Sequence, residues 1–204
     1  MRLPVVVAIV LALLVAAPVP AAERVVVALG DSLTAGQGVA RDEAYPALLE
    51  ARLRGEGYPY RVVNAGVSGD TSAGGRRRVE WVLRTKPEVV IVALGANDGL
   101  RGLPVDALRD NLEAIVTRLR ASGARVLLAG MRVPPNYGDD YARAFSAVFA
   151  AVAKRTGVPL APFLLDGVAG EARLNQPDGI HPTPEGQRVM AERLWPHLRP
   201  LLTR

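Results

Sequence analysis

The chain has 204 residues, with 25 Lys and Arg against 20 Asp and Glu for a net charge of +5. That length suits one domain with a sizeable core, and a composition half apolar and 22% charged excludes a disordered or fibrous protein. The absence of cysteine removes a disulfide scaffold, a thiolate metal site, a cysteine nucleophile and a lipid-modified cysteine.

The positive charge does not point to nucleic acid. Its densest cluster, Arg76, Arg77 and Arg78, has no interleaved aromatic residues on which bases could stack. A solvated helix face is the expected role.

Residues 1–22 read as a secretory signal peptide. Met1 and Arg2 open it, residues 5–17 are continuously apolar, and Val19, Pro20 and Ala21 offer a cleavage site. The alternative is an uncleaved anchor, which prolines 4, 18 and 20 oppose. Cleavage would release a mature domain of residues 23–204 into the periplasm or the medium.

From residue 25 onward, short apolar runs alternate with longer amphipathic stretches, the pattern of strands joined by crossover helices. Strands are expected at 25–29, 61–64, 88–94, 125–130 and 160–164. Their hydrophobicity is continuous, as in a parallel sheet covered on both faces. Helices are expected at 45–54, after Thr71, at 105–119 and at 141–155. In the third, Val105, Leu108, Leu112, Ile115, Val116 and Leu119 share one stripe. A last helix starts at Pro184, with Thr183 as its cap. The fold class is therefore α/β, a single three-layer α/β/α unit.

Ligands bind at the carboxyl ends of parallel strands, so the segments following the strands carry the functional information. They are GDSLTAG around Ser32, AGVSGD around Gly69, GANDG around Asn97 and, before the last helix, DGIHP around His181. Serine catalysis needs a base within hydrogen-bond reach, usually an imidazole. Only two histidines exist. His197 lies among Leu194, Trp195, Leu198 and Leu201, which suits packing or a surface role. His181 sits in a loop three residues after Asp178, a spacing that lets the carboxylate accept from Nδ1 and leaves Nε2 free.

Asp-x-x-His is a weak signal alone, and Gly69 and Asn97 are each equally explained as turn residues. As donors, the Gly69 N–H and the Asn97 carboxamide would stabilise an oxyanion. Thr34 occupies the last position of a G-x-S-x-G elbow, so the architecture differs from that of α/β-hydrolases.

In this order, the four blocks GDSLTAG, NAGVSGDTS, GANDG and DGIHP resemble those of the SGNH (GDSL) hydrolases, over essentially the whole mature chain. The likeness is greatest to the bacterial arylesterase, thioesterase and lysophospholipase subgroup. The resemblance implies a five-stranded parallel sheet in flavodoxin-like order. It also implies Ser32 as nucleophile, His181 as general acid and base, Asp178 as its partner, and an oxyanion hole of Ser32 N–H, Gly69 N–H and the Asn97 side chain. Ala96 stands where close relatives often carry glycine, which bears on the donor geometry of Asn97.

No cofactor or metal is expected. The substrate would be a small acyl ester or thioester, with membrane-derived lipids as one source, and no motif sets an oligomeric state. The loop 132–138, through Pro134 and Tyr137, would cover part of an acyl pocket. Tyr141 and Phe145, four apart on one helix, either line that pocket or pack in the core. The competing readings are a carbohydrate acetylesterase and a non-catalytic periplasmic binding module.

Overall fold

The computed structural model describes residues 23–204, so the expected signal peptide lies outside the described residues. Five strands form one sheet: β1 (Arg24–Gly30), β2 (Tyr60–Gly66), β3 (Val89–Ala93), β4 (Arg125–Ala129) and β5 (Leu160–Ala161). Every pairing is parallel, in the order β2-β1-β3-β4-β5. This is the doubly wound, flavodoxin-like arrangement. All five residues of β3 are buried, as are six of the seven in β1. Their runs of consecutive Val, Ile, Leu and Ala follow from having helices on both faces.

The helices are α1 (Ser32–Ala35), α2 (Tyr45–Gly55), α3 (Ser72–Arg84), α4 (Ala96–Leu100), α5 (Val105–Ala121), α6 (Asp139–Thr156) and α7 (Pro184–Leu198). α2 packs on α7 on one side of the sheet, whereas α3, α5 and α6 pack in succession on the other. The expected stripe of α5 is its buried face. Thr71 and Thr183 cap α3 and α7, each accepting from the backbone N–H three residues on at 3.3 Å.

Two expectations about elements need correction. The fifth strand stops after two residues, because Pro162 has no N–H to donate to a ladder. The chain there bends over the end of β4, with Gly130 N–H donating to Ala161 O (2.8 Å) and Leu164 N–H to Gly130 O (2.9 Å). The arginine run on α3 is only partly a solvated face. Arg76 and Arg77 are exposed, but Arg78 turns inward and binds loop backbone.

The crevice at a topological switch point forms where successive connections leave one strand in opposite directions along the sheet. Here that strand is β1, flanked by β2 and β3. Its carboxyl end delivers Gly30, Asp31 and Ser32.

Candidate active site

Ser32 opens the one-turn helix α1, and the Asp31 side chain caps it by accepting from Leu33 N–H at 3.0 Å. Gly30 is required just before it. A Cβ there would lie 1.9 Å from Thr34 Oγ1 and 2.9 Å from the backbone oxygen of Ala93. Only a bare backbone lets the turn fold this tightly against β3.

The loop before α7 brings in the imidazole. His181 Nε2 lies 2.9 Å from Ser32 Oγ, and His181 Nδ1 lies 2.7 Å from Asp178 Oδ2. The other Asp178 oxygen accepts the N–H groups of Ile180 and His181, both at 3.0 Å. These bonds, the imidazole's foremost, hold the Asp178 carboxyl down at about 2. The loop is braced by Gln176, whose N–H donates to His181 O (2.7 Å) and whose Nε2 donates to Gln37 O (2.7 Å) and Pro182 O (2.9 Å). Such a relay of carboxylate, imidazole and hydroxyl can take the serine proton and stabilise the imidazolium that results.

Gly69 and Asn97 come to the same rim. Gly69 has φ +79°, which a side chain would strain, although a Cβ there would meet only Arg101 Nη2 at 3.7 Å. Asn97, on α4, uses one amide hydrogen to hold Asp70 O at 3.0 Å, leaving the second to donate. Among the described residues, neither Ser32 N–H nor Gly69 N–H has a backbone acceptor. Ser32, Gly69 and Asn97 line one cavity, with donors still free on each.

Residues 28–189 match the GDSL-like Lipase/Acylhydrolase family. The chain belongs to that family. It is 48% identical over 183 residues to the esterase TesA of Pseudomonas aeruginosa, covering 89% of this chain and 91% of that protein. It is 39% identical to the thioesterase 1/protease 1/lysophospholipase L1 of Escherichia coli K12, covering 89% and 86% respectively. A crystal structure of TesA superposes with a TM-score of 0.86 at 47% identity, over 88% of this chain and all of that one.

In this GDSL-like hydrolase the serine and histidine open into a cavity of about 680 Å³, a size typical of small-molecule sites. Gly69, Ala96, Asn97 and Pro134 contribute to its wall. Tyr137 does not, contrary to expectation. Its hydroxyl donates to Leu100 O at 2.8 Å, and its ring stacks on Tyr141 at 6.3 Å between centroids. The buried Phe145 continues the stack. These aromatics hold the 132–138 loop against α4 instead of facing the cavity.

Several residues to which the sequence reading gave no part in the site support it. Arg78 bonds Asp70 Oδ2 through Nε (2.8 Å) and Nη2 (2.6 Å), and reaches Ala65 O (2.9 Å) and Gly30 O (3.2 Å). The buried Asp98 accepts from Ser72 N–H (2.7 Å) and Ser72 Oγ (2.5 Å), fixing α4 to the start of α3. Arg101 Nη2 donates to Gly69 O at 2.8 Å. Gln187 accepts Tyr45 N–H at 2.8 Å, tying α7 to α2. Asp98 adjoins Asn97 in a recognisable block and could have been suspected. Nothing in the local pattern marks Arg78.

Proposed function

We propose that this chain is a serine hydrolase of short- to medium-chain acyl esters and thioesters, including aryl esters and lysophospholipid-like substrates. The observation that carries the reading is the 2.9 Å approach of His181 Nε2 to Ser32 Oγ, backed by Asp178. Ser32 Oγ attacks the acyl carbon while His181 takes its proton. The negative oxygen is received by Ser32 N–H, Gly69 N–H and Asn97 Nδ2, an arrangement that lowers such barriers by several kcal/mol. Collapse breaks the bond to the alcohol or thiol, which leaves with the proton from His181. Water then attacks the acyl-enzyme with His181 as base, releasing the acid and restoring Ser32.

The names and extensive coverage of its relatives support the same chemistry. The apolar wall formed by Val133, Pro134, Leu165 and Ile180 suits an acyl chain better than a sugar. Residues 1–22 are proposed to direct export and to be removed, placing the enzyme in the periplasm or outside the cell.

A nitrophenyl ester series from acetate to octanoate tests the activity, together with labelling by a fluorophosphonate. The expected result is hydrolysis and labelling by the mature chain, both abolished in Ser32→Ala. Inertness across the series with no labelling would leave only a binding module. Acetate release from acetylated xylan with no medium-chain activity would point to a carbohydrate acetylesterase.

A further inference from the structure

The wall of the cavity beside Ser32 contains one permanently charged side chain, Arg132. Its neighbours there, Val133, Pro134 and Phe163, are apolar. The guanidinium carbon stands 4.9 Å from the Phe163 ring centroid. Stacking of this kind orients the guanidinium plane and leaves its N–H edge available. Many of the chain's other arginines pair with carboxylates, among them Arg78, Arg118, Arg125 and Arg155. Arg132 is exposed, and among the described residues it enters no ion pair.

Arg132 and Phe163 also form the partition to a second cavity of about 280 Å³. Its remaining polar wall is Asp166, Arg193 and His197, with Arg193 facing Asp166 at 3.7 Å. One carboxylate thus stands against two guanidinium groups, and its partner is Arg193. The positive charge left over is that of Arg132, at the junction between the second cavity and the one holding the reactive serine.

We propose that Arg132 is an anion-binding subsite selecting acyl esters or thioesters that carry a carboxylate or phosphate away from the bond to be cut. The proposal rests on the hydrolase reading for its choice of ligand. The geometry favours an oxyanion because a guanidinium fork fits two oxygens of one group, which a neutral chain cannot reproduce. Two attachments of the anion fit the same chemistry, one on the leaving group and one at the far end of the acyl chain.

The test measures binding without turnover, in the Ser32→Ala variant at low salt. Two ligand pairs are compared by calorimetry, each differing chiefly in charge. S-butyryl-phosphopantetheine against S-butyryl-pantetheine places a phosphate on the leaving group. The monophenyl ester of adipic acid against its methyl diester places a carboxylate on the acyl side. In at least one pair the charged member should bind roughly tenfold to hundredfold more tightly. Adding Arg132→Gln should bring that pair to within about twofold, with Arg132→Lys intermediate. The responsive pair identifies where the anion is attached.

Equal binding within both pairs, or a preference that survives Arg132→Gln, would overturn the proposal. Turnover of the two neutral esters by the unsubstituted protein is measured alongside. Failure there would count against the hydrolase chemistry, while the binding comparison still decides the subsite.

Discussion

Asp178 and Asp31 flank the same imidazole and hydroxyl, yet their surroundings drive them in opposite directions. Asp178 is held at about 2 by the His181 ring and two backbone N–H groups, so it stays ionised at any pH the enzyme would meet. Asp178→Asn removes the charge and offers an amide where Nδ1–H needs an acceptor. Kcat should fall by about 10⁴-fold, the scale seen in other serine triads, with an unchanged circular dichroism spectrum. Asp31 is fully buried and pushed up to about 7 by desolvation, against the pull of Leu33 N–H and His181. One of its oxygens has no hydrogen-bond partner among the described residues. The folded chain therefore retains a proton that the unfolded chain gives up near its ordinary value of 3.8. Its effect opposes folding increasingly as pH rises from about 4 to 7, then levels off. Asp31→Asn keeps an acceptor for Leu33 N–H and cannot ionise. Urea denaturation should find it more stable than the parent by about 1–3 kcal/mol at pH 8, with little difference at pH 4. Ser32, Asp178 and His181 were legible because scarcity of histidine and short spacing constrain them. The state of Asp31 was not, since burial of one carboxyl depends on everything folded around it.

Arg78 shows how an element can govern a site it does not enter. From the second turn of α3, its guanidinium holds the carboxyl ends of β1 and β2 and the Asp70 side chain. Asp70 O in turn receives the Asn97 amide. Both groups of the Arg78–Asp70 pair are mostly shielded, so breaking it should cost about 2–4 kcal/mol, toward the lower end of the range for buried pairs. Arg78→Ala should lower the urea midpoint and reduce kcat more than it raises KM, because the loop bearing Gly69 loses its anchor. Chemical denaturation beside steady-state kinetics checks this, and an unchanged kcat would show that the loop is held by other means. The main elements were readable from periodicity and caps, as α5 and α7 show. The one-turn helices α1 and α4 were not, being too short for a repeat to register. The inward turn of Arg78 was equally hidden, because three consecutive arginines resemble a wet surface until the third finds carbonyls beneath it.

Across the whole molecule, chemistry and anchoring occupy opposite ends of the sheet. At the amino ends of the strands, Thr203 accepts from Arg24 Nη1 (3.0 Å), donates its N–H to Tyr60 Oη (3.2 Å) and donates its hydroxyl to Glu88 (3.1 Å). Glu88 also binds Tyr60 and Arg125. Removing residues 203–204 should cost about 1–3 kcal/mol and a few degrees of melting temperature, while KM stays at its parental value. A shifted KM would reveal coupling through the sheet. The strand count and parallel layout could be anticipated from apolar runs alone. The pairing of Arg132 with Phe163 in the cavity wall could not, because the two meet only after the chain has crossed the sheet. The contact between Ser32 and His181 spans 149 positions. A ribosome that stalls before residue 181 therefore leaves a harmless alcohol, and the reagent that tags the finished enzyme will ignore every fragment that ends short of that histidine. Covalent tagging thus reports synthesis through His181 and correct assembly in a single readout.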